Sequence, residues 1–207
     1  MYRTRLVREE LASLEKVSEL TLVEQLMMKL PDCVASPLSV NALREDLQVA
    51  HQTVARWLDA LERLYAVFRV YPMSSRKLRS LKKEPKHYHF DWTVVPQEGP
   101  RFENLIACHL LKWCHFIEDT EGYDMALHYF RDRDQREVDF VVYKSRAPIL
   151  FVEAKTTETR VSKDLIYLKR KFPEVEAVQV VLHNQRDFRT ADNIRVRDAV
   201  GFLLDLV

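Results

Sequence analysis

Of the 207 residues, 47% are hydrophobic and 30% charged, with a formal net charge of +1. That is core material for one large or two small domains, and the balanced charge by itself points to no partner. No stretch approaches the roughly 18 apolar residues of a membrane span, and Met1-Tyr2-Arg3-Thr4-Arg5 lacks the apolar core of a signal peptide. The expectation is a soluble, cytoplasmic protein that does not engage membranes.

Three cysteines, Cys33, Cys108 and Cys114, form no CxxC pair, which argues against a disulfide framework or a cysteine zinc site. The three glycines, Gly99, Gly122 and Gly201, are too scattered for GxxxxGK[ST] or GxGxxG. These residues therefore make neither a P-loop ATPase nor a dinucleotide-dependent oxidoreductase.

In chain order, Leu6, Leu11, Leu14 and Val17 recur at three- to four-residue steps and predict an amphipathic helix over 4–18. A second helix spans Thr21–Leu30, opening on a capping box (Thr21, Glu24) and stopping before Pro31. Ser39–Leu47 and His51–Leu64, separated by Gln48-Val49-Ala50, make a helix-turn-helix pair. Two strands follow, at 66–71 and 87–90, and complete a winged helix. After Pro96, Gly99 and Pro100 the pattern changes: an apolar helix over 101–117, then strands at 125–131, 136–143 and 149–155. A helix over 161–171, a strand over 175–183 and a helix over 197–206 end the chain. The fold class expected is α+β: a winged helix-turn-helix domain over 1–95, then an α/β domain with a mixed central sheet over 96–207.

Charge is unevenly spread. Residues 36–90 carry 10 Lys+Arg against 5 Asp+Glu, and residues 91–160 carry 9 against 13. Basic blocks suit phosphate backbones, and clustered carboxylates suit divalent cations. Within the basic block, Arg76, Lys77, Arg79, Lys82 and Lys83 are candidate phosphate contacts, the alternative being a solvated loop. Arg56, on the second helix of the pair, is the candidate for a base contact. His87 and His89 share one strand face and could pair on a metal, but no third ligand stands nearby. Cys108 and Cys114 read as core thiols, and Tyr167 as packing or a substrate contact.

The sharpest signal lies in the second half. Arg136-Glu137-Val138-Asp139-Phe140 opens one strand, and Phe151-Val152-Glu153-Ala154-Lys155 ends the next. Residues two apart in a strand face one way, so Glu153 and Lys155 project together, and Asp139 on the neighbouring strand can meet them. Two carboxylates there can hold Mg²⁺ or Mn²⁺ through hard oxygens, and a lysine beside them can orient or help deprotonate an attacking water. Glu103, early in the preceding helix, could add a third carboxylate. The bland alternative is a surface salt-bridge cluster.

Glu103, Asp139 and Glu153-x-Lys155 together resemble the PD-(D/E)xK nuclease superfamily. More narrowly, residues 20–205 resemble the C-terminal portion of a family of prokaryotic AAA-type ATPases. Thr53-Val54-Ala55-Arg56-Trp57-Leu58-Asp59-Ala60-Leu61 is similar to that family's helix-turn-helix helix, and Pro85-Lys86-His87-Tyr88-His89-Phe90-Asp91 to its K-x-Y-F-x-D strand. Phe102-Glu103-Asn104, Tyr129-Phe130-Arg131 and Glu137-Val138-Asp139-Phe140 resemble its F-E-N, Y-W-R and E-V-D-F segments. Trp92-Thr93 stand where the family has Gly-Leu, and the ATPase module is absent from these residues. The resemblance implies a restriction-endonuclease-like second domain and phosphodiester hydrolysis in nucleic acid, DNA in the first instance. Asp139, Glu153 and Glu103 would then be metal ligands, and Lys155 would act on the attacking water. It also implies a homodimer or an ATPase as partners, and a rival role as a non-catalytic DNA-binding or interaction module.

Overall fold

The computed structural model describes residues 20–73, 84–157, 160–183 and 186–206. The helix expected over 4–18, and Arg76, Lys77, Arg79, Lys82 and Lys83, lie outside the described residues. No helix among the described residues is long and apolar enough to cross a membrane.

Three helices come first: α1 (Leu20–Lys29), α2 (Val40–Leu47) and α3 (His51–Arg63). Ser39 caps α2 by accepting the Ala42 N–H at 3.3 Å, and Gln48 ends it in a left-handed turn at φ 54°. That turn, as the spacing predicts, sends α3 off at once. Val54, Trp57, Leu58 and Leu61 recur on one face of α3 and bury against Val23, Leu26 and Leu47. Burial of this kind contributes about 1.5–3 kcal/mol per large side chain.

The strands β1 (Val67–Pro72) and β2 (Lys86–His89) then form an antiparallel hairpin. A free-standing wing would expose one face of this hairpin, yet β2 is buried along its whole length. Tyr88 packs into the main core, His87 meets the Leu30 carbonyl and Asn104 holds the His89 backbone, while β3 (Met125–Arg131) pairs in parallel with β1 through Tyr71↔His128 and Pro72↔Tyr129. The hairpin thus becomes the end of a larger sheet.

Between them runs α4 (Glu98–Glu121), 24 residues long, ending at Gly122, whose φ of 73° suits a residue without Cβ. After β3 come β4 (Glu137–Lys144) and β5 (Ala147–Thr157), each antiparallel to the strand before. The helix α5 (Lys163–Lys171) crosses over to β6 (Glu176–His183), which runs parallel to β5. Two short strands, β7 (Phe188–Arg189) and β8 (Arg195–Asp198), finish the sheet, and α6 (Ala199–Leu204) follows. The eight strands lie in the order β2-β1-β3-β4-β5-β6-β8-β7.

On one face, Phe102, Ile106 and Leu110 of α4 pack on Tyr129, Phe140 and Val152. On the other, Leu165 and Leu168 of α5 pack on Phe130, Val141 and Phe151. Strands covered on both sides need not alternate, which is why β6 reads Ala-Val-Gln-Val-Val. The helix expected from 197 begins at Ala199 instead, because Val196 and its neighbours find a partner edge in β6.

Candidate active site

Three strand ends and the first turns of α4 meet at one end of the sheet. Along β3 and β4, the pairs Phe130↔Val138 and His128↔Val141 leave Tyr129 alone opposite Asp139 and Phe140, a β-bulge. A bulge re-aims the side chain it inserts. Here Asp139 lies within the bulge, and its Oδ2 accepts the Ala154 N–H of β5 at 2.9 Å.

Glu153 and Lys155 alternate with Val152 and Ala154 and so share the α5 side of β5 with Phe151. Lys155 Nζ lies 2.7 Å from Glu153 Oε1, with the glutamate side chain 5% and the lysine 44% exposed. Glu153 Oε2 is buried and has no hydrogen-bond partner.

The α4 side holds a second cluster. Lys86, the first residue of β2, is fully enclosed, with Nζ 2.6 Å from Glu137 Oε1, 3.1 Å from Glu103 Oε1 and 3.7 Å from Asp139 Oδ1. Tyr88 donates its hydroxyl to Glu103 Oε1 at 2.7 Å. Arg131 reaches the other oxygen of Glu137 at 3.2 Å.

The protonation equilibria follow from this crowding. Burial, then the Asp139 charge, pushes Glu153 well above the ordinary carboxylate range, against the opposing pull of Lys155. Burial and Asp139 raise Glu103 likewise, against Lys86 and the Tyr88 hydroxyl. Burial lowers Lys86, but Glu103, Asp139 and Glu137 outweigh it, so the ammonium is held above its ordinary value. For Lys155 too, burial is outweighed by Glu153 and then Asp139, and the group stays cationic.

The sequence-predicted Asp139, Glu153, Lys155 and Glu103 therefore converge. Arg56 lies elsewhere, exposed on α3 in the helical half. Arg69, part of the basic run, is engaged internally by Glu62 and by Asp59 at 2.7 Å. Lys86, Tyr88 and Glu137 join the cluster without having been singled out as site residues. The period of two could have found them, since 86 pairs with 88 and 137 with 139 on single strand faces. His87 and His89 are enclosed; His87 Nε2 sits 2.8 Å from the Leu30 carbonyl, and burial lowers its pKa to about 4. That makes it a neutral core histidine. Burial likewise pushes Cys108 and Cys114 to about 12, as expected of core thiols. Tyr167 stacks on Phe130, with the Arg136 guanidinium 4.2 Å above its ring, and so is committed to packing.

No three His, Cys, Asp or Glu side chains converge as a ready metal group among the described residues. The reason is visible: Lys86 stands between Glu103, Glu137 and Asp139. A two-carboxylate site fits better, because the unpartnered Glu153 Oε2 beside Asp139 is a buried oxygen in need of a positive neighbour. Glu103 is already engaged by Lys86 and Tyr88.

Two family models match. Residues 1–96 match a domain of unknown function, DUF8612, and residues 98–199 match another, DUF4143. The second is a domain found in C-terminal regions associated with AAA ATPases. No curated protein and no solved structure matches the chain.

Proposed function

We propose that the chain is a metal-dependent nuclease that hydrolyses phosphodiester bonds in nucleic acid, with DNA as its substrate, built on a restriction-endonuclease-like core. The reading rests above all on Asp139 joined to β5 through Ala154, beside a Glu153 that keeps one buried oxygen unpartnered. The order α4-β3-β4-β5-α5-β6, with β6 parallel to β5, supports it as the expected nuclease-like arrangement.

In this reading Asp139 and Glu153 hold Mg²⁺ or Mn²⁺, which would supply Lewis-acid charge for the phosphoryl oxygens. Lys155 keeps its proton and so acts as a fixed cation beside the attacking oxygen, favouring hydroxide there. Glu103 positions Lys86 and Tyr88. The paired helices α2 and α3 with their hairpin would contact the duplex. There Arg76, Lys77, Arg79, Lys82 and Lys83 serve as phosphate contacts and Arg56 as a base contact. A homodimer, or an ATPase bound to the chain, remains part of this proposal.

Calorimetric titration of Mn²⁺ beside a plasmid cleavage assay tests the site. Cleavage should require the ion, stop on chelation, and vanish in Asp139→Asn and Glu153→Gln. Lys155→Ala should bind Mn²⁺ but lose turnover, and Glu103→Gln should be the mildest change. In a separate binding experiment, reversing Arg79, Lys82 and Lys83 to Glu should weaken binding to all duplex sequences alike and flatten its salt dependence. Unchanged affinity would remove the basic run from the interface.

One observation favours a second reading, a non-catalytic interaction module serving an ATPase. Every carboxylate of the cluster already has a cationic or amide partner. Absence of any Mn²⁺ binding to the wild-type chain would decide for it.

A further inference from the structure

We infer that Lys86 is the resident cation of the Glu103–Glu137–Asp139 cage, and that its ammonium keeps a divalent ion out of that cage. The inference rests on the proposed reading only in taking the neighbouring Asp139–Glu153 pair as the metal-loaded one.

Three features carry it. First, Lys86 Nζ lies 2.6, 3.1 and 3.7 Å from oxygens of three different carboxylates, on β4 and α4, and its side chain has no exposed surface. A lysine on a sheet surface would run its stem outward to water; this one points inward to the acids. Second, the position fits a second metal. In two-metal phosphodiester sites the ions stand about 3.5–4 Å apart and share ligands. Asp139 is such a shared group here, with Oδ1 facing Lys86 and Oδ2 bound to the Ala154 N–H beside Glu153.

Third, the charges leave room for one divalent ion. With all four acids ionised, Glu103, Glu137, Asp139 and Glu153 face the cations Lys86, Arg131 and Lys155, so the cluster then stands one positive charge short. A single divalent ion turns that deficit into a small surplus, whereas a second would leave buried positive charge with no partner, at a cost of several kcal/mol per ion. The resident ammonium needs no recruitment from solution, and it also makes a cation–π contact with the Tyr129 ring at 5.6 Å.

Lys86 is thus a positioning residue whose substitution should change how many ions the chain takes up. The test counts Mn²⁺ by calorimetry and by electron paramagnetic resonance, using the full chain as wild type, Lys86→Met and Lys86→Gln. Wild type should bind one Mn²⁺ per chain. Lys86→Met and Lys86→Gln should each bind one more, and the added ion should disappear again in the Lys86→Met/Glu137→Gln double variant. A folded Lys86 variant with the wild-type stoichiometry overturns the inference.

Should both variants lose their circular dichroism without metal and regain it with Mn²⁺, an ion has taken the ammonium's place and the inference is supported. If Mn²⁺ restores neither variant, the cage does not accept a divalent ion and the inference falls. A wild type that binds no Mn²⁺, beside a Lys86→Met variant that binds one through Glu137, would sink the Asp139–Glu153 metal site while leaving the role of Lys86 standing. The two readings therefore fail separately.

Discussion

The two sides of the sheet end carry the same kinds of groups but differ in their access to water. On the α5 side, Lys155 meets Glu153 with 44% of the lysine side chain still exposed. On the α4 side, Lys86 meets three carboxylates with none of its own surface exposed. A lysine half in water can swing out to admit a ligand, its ammonium passing to solvent, even though its partner Glu153 is buried. An enclosed one cannot, because removing either partner strands a buried charge. Pairing by itself therefore says little about role; enclosure divides the structural half of the cluster from the half available for chemistry.

The sharpest challenge to that division is a pair of alanine substitutions read by denaturant unfolding. Lys86→Ala should lose about 3–5 kcal/mol, the usual cost of breaking a buried ion pair. Lys155→Ala should lose less, because the lysine stands half in water and the buried Glu153, already raised above the ordinary carboxylate range, can take up a proton in its absence. Comparable losses at the two positions would erase the distinction.

A smaller effect is expected from metal. At a Mn²⁺ concentration of about 100 times the dissociation constant, the folded chain should gain about 2.7 kcal/mol. Chelation should remove that gain, and it should be missing in Glu153→Gln but kept in Glu103→Gln. A gain that survives Glu153→Gln would move the ion to the α4 side.

Dependence on pH should be gentler still. Glu153 is raised in the fold above its value in the unfolded chain, so between the two values the folded state holds more protons. Metal-free stability should accordingly fall as pH climbs from the ordinary carboxylate range toward the raised value, while Mn²⁺ affinity climbs over the same interval as the proton leaves. Glu153→Gln should flatten the metal-free trend in part, leaving the share that Glu103 adds in the same sense, as read by thermal melts across pH. Lys86 is raised in the other charge sense, so its stabilising contribution is present at neutral pH and is lost only in strong alkali, above its folded value.

Much of this was legible in the sequence, because the strongest periodic signals belong to elements with apolar faces. The Gln48 break, α5 and the strands β3 to β6 follow from spacing and caps, whereas the helix expected from Thr21 already includes Leu20. Asp139, Glu153, Lys155 and Glu103 came from strand parity together with the family resemblance. The structure brings these four together at one end of the sheet.

What stayed hidden depends on partners distant along the chain. Arg195-Val196-Arg197-Asp198 offers a single apolar residue and becomes a strand only because β6 presents an edge to it. Lys86 reads as one more cation in a basic run, and nothing nearby announces that Glu137 and Asp139 will enclose it. The union of β1 with β3 rests on two residue pairs and has no sequence signature.

That union has a practical consequence for anyone who would cut or recombine the chain. The seam between the two family matches falls near residue 97, in a stretch rich in Pro and Gly that looks like a natural place to splice. Yet Lys86 and Tyr88 lie upstream of it, and Glu103, Glu137 and Asp139 downstream. A chimaera joined there would inherit acids from one parent and their counter-charge from the other. Unless both parents keep that lysine in register, the graft would arrive with a hole in its electrostatics at the very end of the sheet where the chemistry is proposed to occur. The hairpin has to travel with everything after it, and a cut between α3 and β1 would in turn part Arg69 from Asp59 and Glu62.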